Sequence, residues 1–343
     1  MGAAQSAIES CLLAPDKSST KMAATSKPDA ALEYASTCYI PTDWMALPLV
    51  ERREYNHDST VYSFGLPDGQ SLNLPVCACI LLKAPGKGRK DGGGKVRNAP
   101  RHTGVKFSLP PRAFLRVCTR LRRVAQDDFD GSDAVRPYTP MSDNAMLGKF
   151  ELLVKRYDGG AVSQYLFGLA IGATVEFKHI KFNIKAQYPF EGKKTISMVC
   201  AGTGITPCYQ ALWKLLGTPG DDRQVVLLYG NKSVEDILMK DELDAWAKAH
   251  PDRLKVVHVV GNQPDDPPPP GWVTTPTYTA ETGWIDQAKI EKYCSAPSAD
   301  TMLFVCGLPV MYNILCGPRN EKDLKEGSVL QKLGYSAEMV AKM

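Results

Sequence analysis

Arg136-Pro-Tyr-Thr-Pro-Met-Ser142 is the stretch that sets the reading of this chain. Pro137 and Pro140 flank Tyr138 and Thr139 and restrict the backbone around them, so these side chains are held in few orientations. In an extended segment, Arg136 and Tyr138 stand two residues apart and share a face. A guanidinium is a rigid fork for phosphate. A phenol ring is a flat apolar surface, and the Thr139 hydroxyl reaches only a short way. Together they suit a ligand with a phosphate and a planar ring. Alone, the same residues also suit an edge strand followed by a turn.

Sixty-four residues after Arg136 comes Cys200-Ala-Gly-Thr-Gly-Ile-Thr-Pro207. It lies between a buried-strand run, Ile196–Cys200, and a helical pattern over Pro207–Leu216. Its glycines let a dinucleotide approach the backbone, and Pro207 suits a first helical turn. The pattern is not G-x-G-x-x-G. The next strand, Gln224–Tyr229, ends in Gly230 and Asn231 rather than in an acid, which disfavours an ordinary Rossmann dehydrogenase. A third element, Cys306-Gly-Leu-Pro309, ends the run Thr301–Val305. Carboxyl ends of strands form the ligand crevice of an open α/β sheet. A thiol there meets a nicotinamide edge, with Gly307 giving the ring room; an isolated buried structural cysteine is the competing reading. Gly159-Gly-Ala-Val-Ser163 offers backbone N–H groups to a pyrophosphate. In this order, the pieces suit a ligand with a phosphate and a planar ring set against a dinucleotide.

The surrounding pattern supplies two architectures. Short runs such as Thr60–Phe64, Val76–Leu82, Phe150–Tyr157 and Thr174–Phe177, broken by Pro/Gly/Asp turns, predict a small antiparallel barrel. Ser163–Leu169 reads as a turn or two of helix. From Lys194 onward, strands alternate with helices: Asp236–His250 is the next helix and Leu254–Val260 the next strand. That alternation predicts a parallel sheet with right-handed crossovers.

Composition narrows the class. The chain has 343 residues, 44% hydrophobic and 23% charged, as in a soluble globular protein of about two domains. Its ten cysteines show no zinc-knuckle or disulfide-scaffold spacing, so the thiols read as reduced, facing the cytosol, with no metal site. The net charge of +4 is local in origin. Residues 83–123 carry 13 Lys/Arg against Asp91 alone, and the rest holds 28 basic and 36 acidic residues. A nucleic-acid role is therefore not expected of the whole chain.

Three readings are open for the irregular segment 84–127: a solvated insertion, a basic docking surface, or translated intron, since Ala84-Pro-Gly would join Asp128-Phe-Asp smoothly. The docking surface would receive an acidic redox partner or anionic lipid; from a different class, the chain would be a basic adaptor using 84–127 for nucleic acid or anionic membrane. Residues 1–43 read as a flexible leader. Met-Gly-Ala-Ala-Gln-Ser fits a myristoylation pattern at Gly2, and Cys11 is available for a second acyl chain.

These motifs resemble the ferredoxin–NADP reductase superfamily, and within it the NADH–cytochrome b5 reductase branch. Lys155-Arg-Tyr157, Asn231 and Asp236-Ile-Leu238 add to the resemblance, which covers roughly 44–343 apart from 84–127. It implies a β plus α/β fold: a six-stranded antiparallel FAD-binding barrel over 44–190, then an open parallel-sheet NAD(P)-binding domain over 191–343. Arg136, Pro137, Tyr138, Thr139, Leu153, Lys155, Tyr157, Gly160, Ala161, Val162, Ser163 and Thr206 would hold FAD. Gly202, Thr203, Gly204, Cys306, Gly307 and Pro309 would face the nucleotide, with Thr139 and Cys306 at the reacting centre. Implied cofactors are FAD and NADH, with NADPH open because the acid that usually selects NADH falls near Gly261. The implied partner is cytochrome b5 or a similar haem protein. A nitrate-reductase-like or ferredoxin/flavodoxin-type acceptor is the alternative. The implied place is the cytoplasmic face of the endoplasmic reticulum or the mitochondrial outer membrane, otherwise the cytosol. The chain departs from the branch's motifs at Cys77-Ala-Cys79, Ala201, Leu308 and Met343, the last standing where a terminal aromatic is usual.

Overall fold

In a computed structural model, residues 38–88, 131–179 and 186–343 are described. The Gly2 motif, Cys11 and most of the basic segment lie outside the described residues. Two six-stranded sheets organise the rest.

The first sheet is antiparallel and built from β1 (Met45–Glu54), β2 (Ser59–Gly65), β3 (Ile80–Ala84), β4 (Ala134–Tyr138), β5 (Lys149–Lys155) and β6 (Thr174–His179), in the order β4-β3-β6-β1-β2-β5. A short helix α1 (Ala161–Phe167) lies between β5 and β6. Phe64, Phe150 and Phe177 meet in its core with ring centroids 4.7–5.6 Å apart. β4 is an edge strand, which is why Pro137 is tolerated within it: no second neighbour needs its missing N–H. The chain after β4 then crosses to the opposite edge. Met141 N donates to Glu151 O at 2.8 Å, and Glu151 N to Ser142 Oγ at 3.0 Å. The decisive stretch thus begins on one edge of the curled sheet and ends against the other.

The second sheet is parallel: β7 (Thr195–Ala201), β8 (Gln224–Asn231), β9 (Leu254–Val260), β10 (Thr279–Thr282), β11 (Thr301–Cys306) and β12 (Val340–Lys342), in the order β10-β9-β8-β7-β11-β12. Helices α2 (Ile205–Gly217), α3 (Lys240–Ala249), α4 (Gln287–Tyr293), α5 (Pro309–Leu315) and α6 (Val329–Lys332) cover it. Alternation in β7 shows how. Ile196, Met198 and Cys200 pack toward Leu212 and Leu227, while Val199 joins Leu303, Tyr312 and Ile290 on the other face. Order reverses at β7, with β8–β10 on one side and β11–β12 on the other. That switch point is where an open α/β sheet places its ligand crevice.

Two expected elements shift. The strand foreseen from Val76 starts only at Ile80, because Cys77 turns left-handed (φ 64°) and gives its N–H to Gln210 Oε1 at 2.9 Å. The helix foreseen from Asp236 starts at Lys240, after Met239 at φ 57°. Among the described residues, no helix is long and apolar enough to cross a membrane.

Candidate active site

Between the two sheets lies a cavity of about 510 Å³, a size suited to a small-molecule or cofactor site. The barrel sheet supplies Pro137, Tyr138, Thr139, Leu153, Lys155 and Tyr157 to its wall. The parallel sheet supplies Gly202, Thr203, Gly204, Thr206, Cys306 and Gly307. Thr139 and Cys306, expected at the reacting centre, therefore line one space from opposite sides. Arg136, Gly160, Ala161, Val162, Ser163 and Pro309 do not line it. Arg136 is exposed on β4, its Nη1 donating to Val135 O at 2.8 Å. Ser163 is buried; its Oγ accepts from Tyr157 N and donates to Gly160 O, both at 3.2 Å. That hydroxyl shapes the Gly159–Ser163 turn.

The β7–α2 turn owes its form to its glycines. Gly202 adopts φ 53°, with nothing within 4 Å of where a Cβ would stand, so its backbone is open to a ligand. Gly204 is the opposite case. A Cβ there would stand 2.7 Å from the Cys306 carbonyl carbon and 3.0 Å from Gly307 N. Its absence lets the loops after β7 and β11 touch. Thr206 Oγ1 donates to Thr203 O at 3.2 Å and closes the turn.

Charge in the cavity is arranged around Lys155. Its Nζ lies 2.6 Å from Asp58 Oδ2 and 2.8 Å from Asp236 Oδ1. Burial lowers the Lys155 pKa, but its bonds to Asp236 and Asp58 outweigh this and raise it above the usual lysine value. Burial raises Asp236, and Lys155 more than offsets that, leaving the carboxyl below its ordinary value. His57 Nε2 is 3.5 Å from both Asp58 and Asp236. These three could ligate a metal, but the Lys155 ammonium already stands between the carboxylates. Burial pushes the Cys306 thiol up to about 12. It is a neutral thiol at neutral pH, acting through shape and contact rather than as a base.

The domains are stitched beside this cavity. Gln210 accepts from Cys77 N and donates from Nε2 to Pro140 O at 2.8 Å. Asn56 Nδ2 donates to Glu235 O at 3.1 Å, and Met239 N to Tyr55 Oη at 2.9 Å. Several cavity residues escaped the sequence reading, among them Lys232, Trp284 and Arg319. Lys232 and Trp284 follow the ends of β8 and β10, so the carboxyl-end rule could have found them; Arg319 carries no such signal. Met343 is buried and lines the cavity, its N–H donating to Val305 O at 2.9 Å.

The residues present fit a flavin and a nicotinamide nucleotide: an aromatic and hydroxyl wall on one side, an open glycine turn on the other. Comparison with known proteins gives the same class. The oxidoreductase FAD-binding domain family matches residues 104–184, and the oxidoreductase NAD-binding domain family matches residues 198–317. The chain is an FAD- and NAD-binding oxidoreductase. It is 33% identical over 303 residues to NADH-cytochrome b5 reductase 2 of Saccharomyces cerevisiae, covering 87% of this chain and 82% of that one. It is 31% identical over 312 residues to the NADH nitrate reductase of Solanum lycopersicum, covering 85% of this chain but 28% of that protein. The cytochrome b5 reductase domain of Ulva prolifera nitrate reductase superposes with a TM-score of 0.62 at 29% identity, covering 86% of this chain and 94% of that domain. The chain belongs to the NADH–cytochrome b5 reductase family.

Proposed function

We propose that this chain oxidises NADH and delivers the electrons singly to a haem protein, cytochrome b5. The observation that carries the proposal is the convergence of Thr139 and Cys306, from separate sheets, on one cavity. Hydride acceptance and one-electron donation are the chemistry FAD supplies when bound; the protein contributes orientation and electrostatics. Tyr138 and Tyr157 give aromatic surface on the barrel side, and Arg136 on the same strand is the phosphate fork. Thr139 brings a hydroxyl to the reacting edge. The 202–204 turn and Cys306-Gly307 receive the nicotinamide without a side-chain obstruction between them. Lys155, fixed by Asp58 and Asp236, holds the nucleotide side against the barrel.

The test is spectroscopic. Purified chain should show flavin absorbance that NADH bleaches without oxygen and that added cytochrome b5 restores. A folded preparation that cannot take up FAD would end the proposal. The match to nitrate reductase favours a second acceptor, the haem domain of such an enzyme, which the same reoxidation assay compares directly. We extend the proposal to peripheral attachment through Gly2, on the cytoplasmic face of the endoplasmic reticulum or mitochondrial outer membrane. Loss of membrane association in Gly2→Ala supports it; unchanged association refutes it.

A further inference from the structure

The cavity has an unusual charge balance. Asp236 is the only acidic side chain lining the cavity among the described residues, and Lys155 neutralises it. Two cations remain, Lys232 and Arg319, and neither has a hydrogen bond or ion pair to a described residue. Lys232 is exposed and follows β8 directly.

Dinucleotides lie across the carboxyl ends of such strands. Their ribose is read there either by an acid on the 2′-hydroxyl or by a cation on a 2′-phosphate. At the ends of β8 and β9 the cavity presents Asn231, Lys232, Gly261 and Asn262, with no acid. At Gly261 none can be placed. A Cβ there would stand 2.9 Å from both the Cα and N of Gly283 and 3.1 Å from its carbonyl oxygen. Gly283 is itself confined to glycine, at φ 79° with its own Cβ position 2.8 Å from the Pro264 carbonyl carbon, so the crossing is backbone against backbone with no side chain to give way. The nearby carboxylate of Asp266 does not line the cavity. It accepts the backbone N–H groups of Asn262 and Gln263, the latter at 2.9 Å, and so is spent within its own loop.

We propose that this chain takes NADPH as well as NADH, with Lys232 receiving the 2′-phosphate and the Gly261–Gly283 crossing excluding the acid that would reject it. The inference rests on the reductase reading and deepens it. A lysine suits a phosphate as a mobile point charge without fixed geometry, so it tolerates NADH when the phosphate is missing. Dual use follows, rather than a switch to NADPH alone.

The test uses the full chain loaded with FAD. Anaerobic flavin bleaching is measured with NADH and with NADPH, and binding of 2′,5′-ADP and 5′-ADP is measured by calorimetry. We expect kcat/KM for NADPH within about a hundredfold of that for NADH, and tighter binding of 2′,5′-ADP than of 5′-ADP. Lys232→Glu should lower the NADPH-to-NADH ratio at least about tenfold, roughly the effect of one charge contact, and should reverse the order of the two ADP affinities. Asn262→Asp, which puts a carboxylate beside the same place, should lower the ratio in the same direction. NADPH more than a hundredfold poorer than NADH, or a ratio unmoved by Lys232→Glu, overturns the inference and leaves the reductase reading standing. Failure of both nucleotides to bleach a bound flavin removes that reading and the inference with it.

Discussion

Gly204→Ala isolates what the nucleotide turn contributes, because it adds one methyl group where backbone meets backbone. The added carbon would lie 2.7 Å from the Cys306 carbonyl carbon and 3.0 Å from Gly307 N. Carbon atoms rest at about 3.5–4.0 Å, so the loops after β7 and β11 must part by about 1 Å. Overpacking of this kind costs about 1–3 kcal/mol, and the upper end applies because no flexible side chain can yield. At roughly 2.1 cal/mol/K per residue, a single cooperative unit of about 300 residues shifts by about 1.6 °C per kcal/mol, so the midpoint should fall by about 5 °C. A misplacement of about 1 Å at a reacting group costs on the order of 100-fold in rate, and Cys306 is the group displaced. Gly202→Ala is the control for stability alone, since its methyl group would enter the open space where the nucleotide approaches. It meets no atom within 4 Å and bears only the left-handed φ of 53°, a cost of about 1–2 kcal/mol. Thermal melts and anaerobic stopped-flow reduction by NADH measure both variants. Gly204→Ala should keep its flavin and lose most of its reduction rate. If Gly204→Ala melts and reduces like the parent, or if Gly202→Ala melts lower still, the contact between the two loops is not what positions Cys306.

Three further outcomes follow from the geometry. Lys155→Met leaves Asp58 and Asp236 with only the exposed His57 imidazole beside them and should destabilise by about 3 kcal/mol; adding Asp236→Asn should restore part of this, and a double-mutant cycle without coupling would refute the pairing. Phe177→Ala removes the ring that contacts both Phe64 and Phe150 and should cost about 3–5 kcal/mol, read as a lower urea midpoint with loss of flavin retention. Asp221 and Asp236 are among the carboxyls that make the fold acid-sensitive. Burial raises Asp221, but its hydrogen bonds to Arg223 and the charges of Arg223 and Arg253 outweigh this, so both carboxyls titrate below the ordinary 3.8. Their stabilisation is fully present above about pH 4 and is lost as pH falls through the folded-state values. Urea midpoints should drop on acidification below pH 4, and less so in Asp221→Asn; a parallel drop in that variant counts against the assignment.

The parallel sheet was legible because its strands are buried on both faces and read as unbroken apolar runs. Ile196–Cys200 and Leu254–Val260 needed nothing else. β1 was missed for the opposite reason: residues 50–54 are exposed and include Glu51-Arg52-Arg53-Glu54, so charge hides a strand held by pairing on both sides. β10 has four half-buried residues and no alternation to read. Asp236 sat in a helical pattern, yet its carboxylate is drawn to Lys155, 81 residues earlier, and the helix begins only beyond it. The site was legible where a motif fixes the backbone, as at 137–139 and 202–204. It was not legible where a residue joins the cavity only by standing near a strand end, as Lys232 and Trp284 do.

The Gln210 amide joins Cys77 N–H to the Pro140 carbonyl, and so ties the decisive stretch to the helix that follows the glycine turn. With Lys155–Asp236, Asn56–Glu235 and Tyr55–Met239, it makes the seam part of each half's own structure. Heat should therefore open the halves together, in one calorimetric transition rather than two. A gene fusion that borrowed one half would leave Gln210 or Pro140 without its partner. What can be carried intact into a longer protein is the pair, and a match to 28% of a nitrate reductase that spans both halves has that form.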